Sequence, residues 1–411
     1  MIHRRQILVV LTAIGAWIAA VNLPVSNPLT SDVELYKVVG RNMAAGQMPY
    51  RDFFLEYPPG AAFFFWSARL VPSGYATAVG ILLCAALVVS AVAVMSAADG
   101  LGFGRGRQLA AGLVVALSPL LLGRFVIAER FDLVLCVCVA LMVACAVRRR
   151  FGWAWSMLGL AVLVKLVPVL IAPLLFMWQR RTRPRTLARD LGMGAAVVAA
   201  GFIPFVVLAP RGVWRMLHYH LVRPLQIESL GAAYMRGITS LGGHPMAATY
   251  SYGSHNLVGT GASVVSAITT IVQVVAIIAV VVTVVRLRNA GPRVYVSAIA
   301  ATLAVIVATA KVLSPQFMLW VLPASVLVAG RYGRHATVLC AAALVATQFE
   351  FPFRYMDLVA GDGAAIALIV VRNLLLIMLV AACWPRRDQT EMLNDRMSDA
   401  SPSGVASITA P

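Results

Sequence analysis

Residues 76–98, ATAVGILLCAALVVSAVAVMSAA, contain no charged side chain and are long enough to cross a bilayer as one helix. The whole chain shares this character: 61% of its 411 residues are hydrophobic, 12% are charged, and the mean hydropathy is +0.85. A soluble domain averages about 45 to 50% apolar and about 25% charged residues. The composition therefore predicts an all-α fold, a polytopic membrane helix bundle. Further apolar runs cover 6–24, 108–123, 131–147, 190–209, 262–285 and 363–384.

Two other apolar stretches, 152–178 and 294–330, are each interrupted by a lysine followed by a proline, at 165–168 and at 311–315. If the first stretch were one helix, the arginine cluster at 180–189 and every later basic loop would lie outside the cell. Loops rich in Lys and Arg normally face the cytoplasm. We therefore interpret each stretch as a hairpin of two short helices that turns at the outer face.

This threading gives about twelve spans, with one more helix at 336–349, and both termini in the cytoplasm. The net charge of +18 then belongs to basic cytoplasmic loops and does not indicate a nucleic-acid partner. The six cysteines lie in apolar runs, which predicts neither disulfides nor a zinc site. Residues 1–384 are expected to form one transmembrane domain, and residues 385–411, rich in Ser, Asp and Ala, a disordered cytoplasmic tail.

The first outer segment, about 25–75, carries apolar residues at helical spacing: Val33, Tyr36, Val39 and Met43. This spacing predicts a short amphipathic helix lying along the membrane surface, with Asp32 at its N-cap. A rigid turn at 56–60, Glu-Tyr-Pro-Pro-Gly, then leads to an aromatic run. Asp32 has two interpretations, a helix cap or a functional carboxylate, and spacing alone does not choose between them.

The second outer segment, about 210–261, is dense in polar residues, with HYH at 218–220, RPLQIES at 223–229 and SYGSHN at 251–256. Such residues could simply keep a surface loop soluble or lie at an interface. The same mixture suits an anionic ligand that carries a sugar, because arginine offers forked donors to phosphate and the other side chains can bond hydroxyls.

Six pieces that this threading places at the outer face resemble a known family. They are D-x-x-x-Y (32–36), P-Y-x-D-F-x-x-E-Y-P-P-G (49–60), R-F-D (130–132), K-L-V-P (165–168), R-P-L-Q-I-E-S (223–229) and K-V-L-S-P-Q-F-x-L-W (311–320). In this order they resemble the actinobacterial polyprenol-phosphate-mannose-dependent mannosyltransferases, glycosyltransferase family 87 of the GT-C superfamily. The resemblance covers about 30–350, and it rests on the order and shared placement of the pieces rather than on any one of them.

The resemblance implies a glycosyltransferase of the bacterial plasma membrane with its active site on the periplasmic face. Direct displacement of the phosphate would make the transfer inverting. Its donor would be a sugar on a polyprenyl phosphate, with mannose the favoured sugar and arabinofuranose or glucose as alternatives. Its acceptor would be a cell-envelope glycolipid or glycan. The family's catalytic base is a first-loop aspartate, and Asp32 stands at the matching position. Neither a cofactor nor a metal is expected.

Sugar transfer requires a base for the acceptor hydroxyl and positive charge for the leaving phosphate. Asp32 is our candidate base and Glu34 the second choice. Lys165 and Lys311 are candidates for the phosphate, although each could merely extend its charge to the membrane surface. The other candidate substrate-binding residues are Glu56, Tyr57, Arg130, Arg223, Gln226, His255, Asn256 and Gln316. Arg372 lies in the last span, and the sequence leaves Glu350, Asp357 and a ligand open as its partner.

Two other classes of protein remain as alternatives. A transporter or flippase of a lipid-linked saccharide would also need a polar cavity open to lipid, but its polar residues should continue toward the cytoplasmic side. Here the inner halves of the predicted spans are mostly apolar. A non-catalytic scaffold would leave the concentration of Asp, Lys, Arg and His at one face unexplained.

Overall fold

The computed structural model describes residues 2–22, 31–243 and 246–391. The first half of the chain forms helices α1 (Ile2–Asn22), α2 (Val33–Ala44), α3 (Pro59–Ser67), α4 (Tyr75–Gly100), α5 (Arg105–Ala116), α6 (Ser118–Leu122), α7 (Arg124–Ile127), α8 (Leu133–Val147), α9 (Phe151–Val164) and α10 (Ala172–Thr182). The second half forms α11 (Leu187–Leu208), α12 (Pro210–Val222), α13 (Leu230–Leu241), α14 (Thr260–Arg286), α15 (Pro292–Ala308), α16 (Met318–Ser325), α17 (Gly333–Glu350), α18 (Tyr355–Ala360), α19 (Gly363–Cys383) and α20 (Asp388–Glu391). Short 3-10 turns occupy Ala68–Leu70, Val167–Ile171, Pro184–Thr186 and Pro315–Phe317.

Five helical segments are long and apolar enough to cross a membrane: Arg4–Asn22, Tyr75–Gly100, Pro184–Leu208, Thr260–Arg286 and Gly363–Cys383. Helices α8, α9 and α15 are shorter but also apolar. On α14, Ile271 and Val275 are more than half exposed, as expected for a helix whose outer face meets lipid. The prediction of a helical, multi-pass membrane protein is confirmed, and the number of spans stays a prediction.

Both predicted interruptions are present. Helix α9 ends at Val164, Lys165 is extended (φ −149°, ψ 138°), and a 3-10 turn follows before α10. Helix α15 likewise ends at Ala308 and is followed by a 3-10 turn before α16. Pro168 and Pro315 lack the amide hydrogen that a continuous helix would use, which explains why each stretch breaks into two short helices.

The run 108–123, predicted as one span, is divided. Helix α5 ends at Ala116, and the short helix α6 begins at Ser118. Pro119 has no amide hydrogen to continue the ladder of α5, and Gly123, with φ +83°, ends α6. A single long helix was therefore the wrong prediction for this run.

Helix α15 is the central element of the bundle, because every residue from Val294 to Ala308 is buried. It packs against α10, α14, α16 and α19. At one end of α15, Tyr295 stacks on Trp178 of α10, with ring centroids 5.4 Å apart and planes 3° from parallel. The centre of the protein is thus apolar and closely packed.

Basic loops bond one another at one end of the bundle. Arg183 donates to the carbonyl oxygen of Arg149 at 3.0 Å, and Arg181 donates to that of Leu287 at 3.1 Å. Two more guanidinium bonds to carbonyls close the group: Arg148 to Ser96 at 2.6 Å, and Arg293 to Leu101 at 3.0 Å. We call these joined loops, 96–105, 148–150, 181–186 and 287–293, the basic ring.

Three helices connect the basic ring to the opposite end of the bundle. Helix α9 begins beside the ring at Phe151 and reaches Lys165, while α15 begins beside it at Pro292 and reaches the segment of Lys311. Helix α8 runs the other way, from Asp132 to the ring. The interrupted segments and Asp132 therefore gather at the end of the bundle that lies away from the arginine clusters.

A small antiparallel sheet, absent from the all-α prediction, organises the second polar segment. Its strands are β1 (Leu225–Gln226), β2 (Thr249–Ser251) and β3 (Ser254–Leu257), in the order β1-β3-β2. The register pairs Leu225 with Leu257 and Gln226 with Asn256. Leu225 and Leu257 share a satellite core with residues of α13 and α19, so the sheet is anchored on the last long apolar helix.

The chain remains folded a little beyond the predicted domain boundary at 384. Helix α20 follows, the Gln389 amide donates to the carbonyl oxygen of Ala329 at 3.3 Å, and Asp388 accepts from the amide of Arg331. Residues 392–411, most of the predicted tail, lie outside the described residues.

Candidate functional site

Asp32 directly precedes α2, yet its carboxylate makes no capping hydrogen bond. The amide of Val33 donates instead to the Ser31 hydroxyl at 3.2 Å. Asp32 Oδ1 lies 2.9 Å from Nη1 of Arg130, and the Tyr36 hydroxyl donates to Oδ2 at 3.4 Å. The interpretation of Asp32 as a helix cap and nothing more is therefore wrong, because its carboxylate is held by a distant part of the chain.

A cluster of aromatic rings fixes α2 and the first outer segment against the loop before α8. Tyr36 stacks on Phe65 of α3 with ring centroids 4.2 Å apart, and Phe131 meets Tyr36 and Tyr57 edge-on at 5.6 and 5.0 Å. A Cβ at Gly40 would lie 2.7 Å from the Phe65 carbonyl oxygen, so only glycine lets α2 and α3 approach this closely. The position of Asp32 relative to Arg130 is thus set by packing.

Asp132 and Lys165 form a second ion pair beside the first. The Asp132 carboxylate is 1% exposed, lies 2.9 Å from Nζ of Lys165, and accepts a bond from Trp320 Nε1 at 2.6 Å. Lys165 Nζ also lies within 6 Å of four ring centroids, those of Tyr57, Phe131, Phe317 and Trp320. Lys165 is therefore neutralised within the protein, whereas the sequence suggested a lysine free to meet a phosphate.

Asp132 is absent from the residues singled out as a site from the sequence. Its only signal there is its place in the R-F-D piece, two residues after Arg130. Arg130 and Asp132 come from one short loop, yet each pairs with a different partner, Asp32 and Lys165. This loop therefore joins the first outer segment to the end of α9.

The surroundings of Asp32 make it more basic than an ordinary aspartate. Burial raises the pKa of Asp32, the Arg130 guanidinium opposes that rise, and the Glu56 and Asp132 carboxylates add to it. Such a carboxylate accepts a proton more readily than an exposed one while remaining held by a cation. These are the properties required of a general base.

Glu34, the second candidate base, lies apart from this cluster. Its side chain is 71% exposed and forms an ion pair with Lys37, one turn along α2, at 3.3 Å. The described contacts therefore do not bring Glu34 to Arg130, and they favour Asp32 of the two.

Glu56 and Tyr57 connect the first outer segment to α12. The Tyr50 hydroxyl donates to the carbonyl oxygen of Tyr57 at 2.6 Å, and His220 Nε2 lies 2.8 Å from the carbonyl oxygen of Glu56. A carbonyl only accepts, so Nε2 carries the proton in this contact. A Cβ at Gly212 would collide with the Tyr50 carbonyl oxygen, so α12 rests directly on the first outer segment.

His220 is a further residue that the sequence candidates omit, although the HYH piece drew attention to it. Burial lowers the pKa of His220, the bond to Glu56 opposes this change, and the charges of Arg223 and Lys165 lower the pKa further. His220 therefore lies within electrostatic range of both lysine and arginine groups. It marks the point where the two outer segments meet.

Arg223 and Lys311 bring two positive charges together. Lys311 Nζ donates to the carbonyl oxygen of Leu221 at 2.7 Å, and its own carbonyl accepts from the amide of Gln226 at 2.9 Å. Burial and the nearby Arg223 guanidinium lower the pKa of Lys311. Arg223 donates to the Ser254 hydroxyl at 3.1 Å, while its buried Nε has no hydrogen-bond partner within the described residues.

Neither of these two cations has an ion pair within the part of the chain that the structure describes. Both side chains are half-buried. Two neighbouring cations with reduced access to water and no carboxylate partner offer a site for an anion.

The other candidates differ in how accessible they are. The Asn256 side chain is fully buried and bonds Ser251 and the carbonyl oxygen of Ser254, so it shapes the turn between β2 and β3. His255 Nδ1 lies 3.1 Å from the Tyr355 hydroxyl. Gln226 is buried, and its amide donates to Glu228 at 2.6 Å. Gln316 is half-buried in the 3-10 turn before α16.

A metal centre would need several His, Cys, Asp or Glu side chains around one point. Within residues 2–22, 31–243 and 246–391, no three such side chains are grouped in this way. The expectation of a metal-independent site stays a prediction.

A family model described as glycosyltransferase family 87 matches residues 54–315. The chain belongs to glycosyltransferase family 87. The resemblance found in the sequence pieces is thus confirmed, and this family 87 protein is a multi-pass membrane glycosyltransferase. The match includes Arg130, Lys165, Arg223 and Lys311, whereas Asp32 precedes it. A search of curated proteins found no match.

Proposed function

We propose that this family 87 protein transfers a sugar, with mannose favoured, from a polyprenyl phosphate to a cell-envelope glycolipid or glycan. The observation that carries the proposal is the half-buried Arg223 and Lys311 pair, which has no carboxylate partner in the described chain. A polyprenyl phosphate-linked sugar has one anionic group to bind there. The Asp32–Arg130 pair supplies the base that the same reaction requires.

The proposed topology has about twelve spans, both termini in the cytoplasm and the site at the periplasmic face of the bacterial plasma membrane. Support comes from the basic ring, because loops rich in arginine favour the cytoplasm. The ends of α8, α9 and α15 that lie away from the ring carry Asp132, Lys165 and Lys311. We also propose that residues 1–384 form the catalytic domain and that the end of the chain is a cytoplasmic tail.

In the proposed reaction, Asp32 removes the proton of the acceptor hydroxyl as its oxygen attacks the anomeric carbon. The bond between that carbon and the phosphate oxygen breaks, and the electron pair leaves with the polyprenyl phosphate. Direct displacement inverts the anomeric centre. A positioned base contributes roughly 10²- to 10⁴-fold to such a step.

Arg223 and Lys311 would stabilise the charge that grows on the leaving phosphate. Arg130 would keep Asp32 ionised and oriented, since it holds the carboxylate at 2.9 Å. Lys165, already paired with Asp132, is better suited to position the loop of Arg130 than to bind phosphate directly. Glu56, Tyr57, Gln226, His255 and Gln316 are proposed to border the sugar and acceptor sites, and Asn256 to shape the turn beneath them.

The test is to incubate purified protein with a panel of radiolabelled polyprenyl-phosphate sugars and membrane glycolipid. We expect label to move from one donor to the glycolipid, with polyprenyl phosphate released in equal amount. Binding of a donor that is never cleaved, together with passage of the intact lipid across liposome membranes, would instead establish a flippase.

A further inference from the structure

Arg372 is a buried charge in the middle of α19. Its side chain is fully buried and donates to the carbonyl oxygen of Glu228, and its Nε lies 3.2 Å from Asn373 Oδ1. The Asn373 amide donates to the same Glu228 carbonyl at 3.3 Å. Of the partners left open by the sequence, Asp357 is excluded, because it pairs with Arg354 at 3.1 Å.

Two carboxyl groups adjoin this arginine. Glu228 follows β1, Glu350 ends α17, both are buried, and the two carboxyl groups lie within electrostatic range of each other and of Arg372. Gln226 donates to Glu228 Oε2 at 2.6 Å, whereas Glu228 Oε1, both carboxyl oxygens of Glu350 and Arg372 Nη1 have no hydrogen-bond partner among the described residues. No carboxyl of this group reaches water.

Charge balance limits how many of these groups can be ionised. Two carboxylates beside one guanidinium would leave a net negative charge in a buried site, with two like charges close together. Burial, followed by the neighbouring Glu350 carboxyl, raises the pKa of Glu228 well above its ordinary value. One retained proton removes both the excess charge and the repulsion.

Two other titratable groups face Glu228. Arg130 is within electrostatic range, but its charge is balanced by Asp32. Tyr355 of α18 is kept neutral, because burial raises the pKa of its hydroxyl, which contacts His255. Neither group therefore supplies a second positive charge that would let both carboxyls ionise.

We propose that Glu228 and Glu350 share a single proton opposite Arg372 and act as positioning residues for segment 223–229. This segment carries Arg223, and Gln226 of the same segment bonds the main chain of Lys311. The importance of that positioning for catalysis rests on the proposed function. Loss of the proton would separate the two carboxyls and shift the segment that presents the anion-binding pair.

The test follows thermal unfolding of the purified full-length protein in detergent, between about pH 5 and pH 9, for the wild type and Glu350→Gln. An unfolded glutamate has a pKa near 4.3, so the folded state binds one more proton than the unfolded state above that pH. Stability should therefore fall as the pH rises toward the folded pKa and then level off. Glutamine imitates the protonated member of the pair. The variant Glu350→Gln should therefore lose this decrease of stability with rising pH.

Asp357→Asn is the matched control, since it removes an exposed carboxylate near the same helix end and should keep the wild-type slope. If Glu350→Gln fails to fold, Glu228→Gln tests the same proposal by replacing the other carboxyl of the pair. We expect either single variant to be at least as stable as the wild type at alkaline pH, and the double Gln variant, with Arg372 left unbalanced, to be less stable than both.

The proposal of a shared proton would be overturned if the single variants kept the wild-type pH dependence of stability, or if both failed to fold. In transfer assays, the wild type should lose activity at alkaline pH, and Glu350→Gln should not. If no transfer is observed but the difference in unfolding slope is present, the proposed function fails while the shared proton stands.

Discussion

Asp32 Oδ1 lies 2.9 Å from Arg130 Nη1, which joins the residue before α2 to a loop about a hundred residues later in the chain. Because of this contact, the Asp32 carboxylate does not cap α2, the role that its position in the sequence suggested. It also gives Asp32 a fixed orientation at the end of the bundle away from the basic ring.

Asp32→Asn should fold normally, because Ser31 provides the hydrogen bond at the start of α2. The asparagine side chain cannot remove the proton from the hydroxyl of the sugar acceptor. We therefore expect the transfer rate to fall by roughly 10²-fold or more, with donor binding preserved. The measurement is single-turnover transfer with saturating donor. Glu34→Gln, on the exposed side of α2, is the control and should leave turnover near normal; the reverse pattern would make Glu34 the base.

Transfer should decline at acid pH, because a base works only while it is unprotonated. Burial raises the pKa of Asp32, so the midpoint of the decline should lie above the ordinary aspartate value near 3.9. Arg130 opposes that rise, and Arg130→Met should therefore move the acid limb to higher pH. A pH–rate profile of both proteins decides the matter: coincident acid limbs would mean that another group titrates.

Lys311→Met keeps the apolar stem and removes the charge. If Lys311 contacts the donor phosphate, loss of a charge-assisted bond should weaken donor binding by about 1.5 to 3 kcal/mol, roughly 10- to 100-fold. Titration with donor at subsaturating concentration measures the change. Lys37→Met is the matched control, since Lys37 pairs with the exposed Glu34, and equal affinity of the two variants would remove Lys311 from the phosphate site.

Lys165→Met should act mainly on stability. It would leave the Asp132 carboxylate buried without its cation, a change that typically costs about 3 to 5 kcal/mol. The double variant Asp132→Asn with Lys165→Met should recover a large part of the loss. Thermal unfolding in detergent provides the measurement, and an unaltered melting temperature in the single variant would mean that Lys165 merely extends to the membrane surface.

Single cysteines in a cysteine-free background test the topology. We expect cysteines at Gly104 and Pro184, near the basic ring, to react only after the membrane is opened. Cysteines at Gln47 and Tyr250, exposed near the site, should react with an impermeant reagent in intact cells. Labelling of position 184 from outside would reverse the threading and the side assigned to the site.

Local chemistry made much of the fold predictable from the sequence. The breaks near Lys165 and Lys311 follow from prolines that lack an amide hydrogen. The amphipathic spacing of 33–43 likewise predicted α2, which buries Val33, Tyr36 and Val39. These features depend on residues that are close together in the chain, so the local sequence is enough to predict them.

The unpredicted features depend on distant partners. Trp320 bonds Asp132 across 188 positions, and Arg372 bonds Glu228 across 144. Strands of two to four residues carry almost no pattern of their own, and the small sheet forms because α13 and α19 provide a surface for it. The sequence could therefore predict that these polar residues gather at one end of the bundle, but it could not predict their pairing.

The basic ring also bears on how the protein is assembled. Arg148, Arg181, Arg183 and Arg293 each donate to a main-chain carbonyl in another segment of the ring, so these bonds cannot form until both segments are in place. An arginine that first orients a helix pair during insertion thus later forms a hydrogen bond that joins this pair to its neighbours. We expect the loops to lock late in biogenesis and to hold one end of the bundle rigid, leaving movement to the broken helices at the other end.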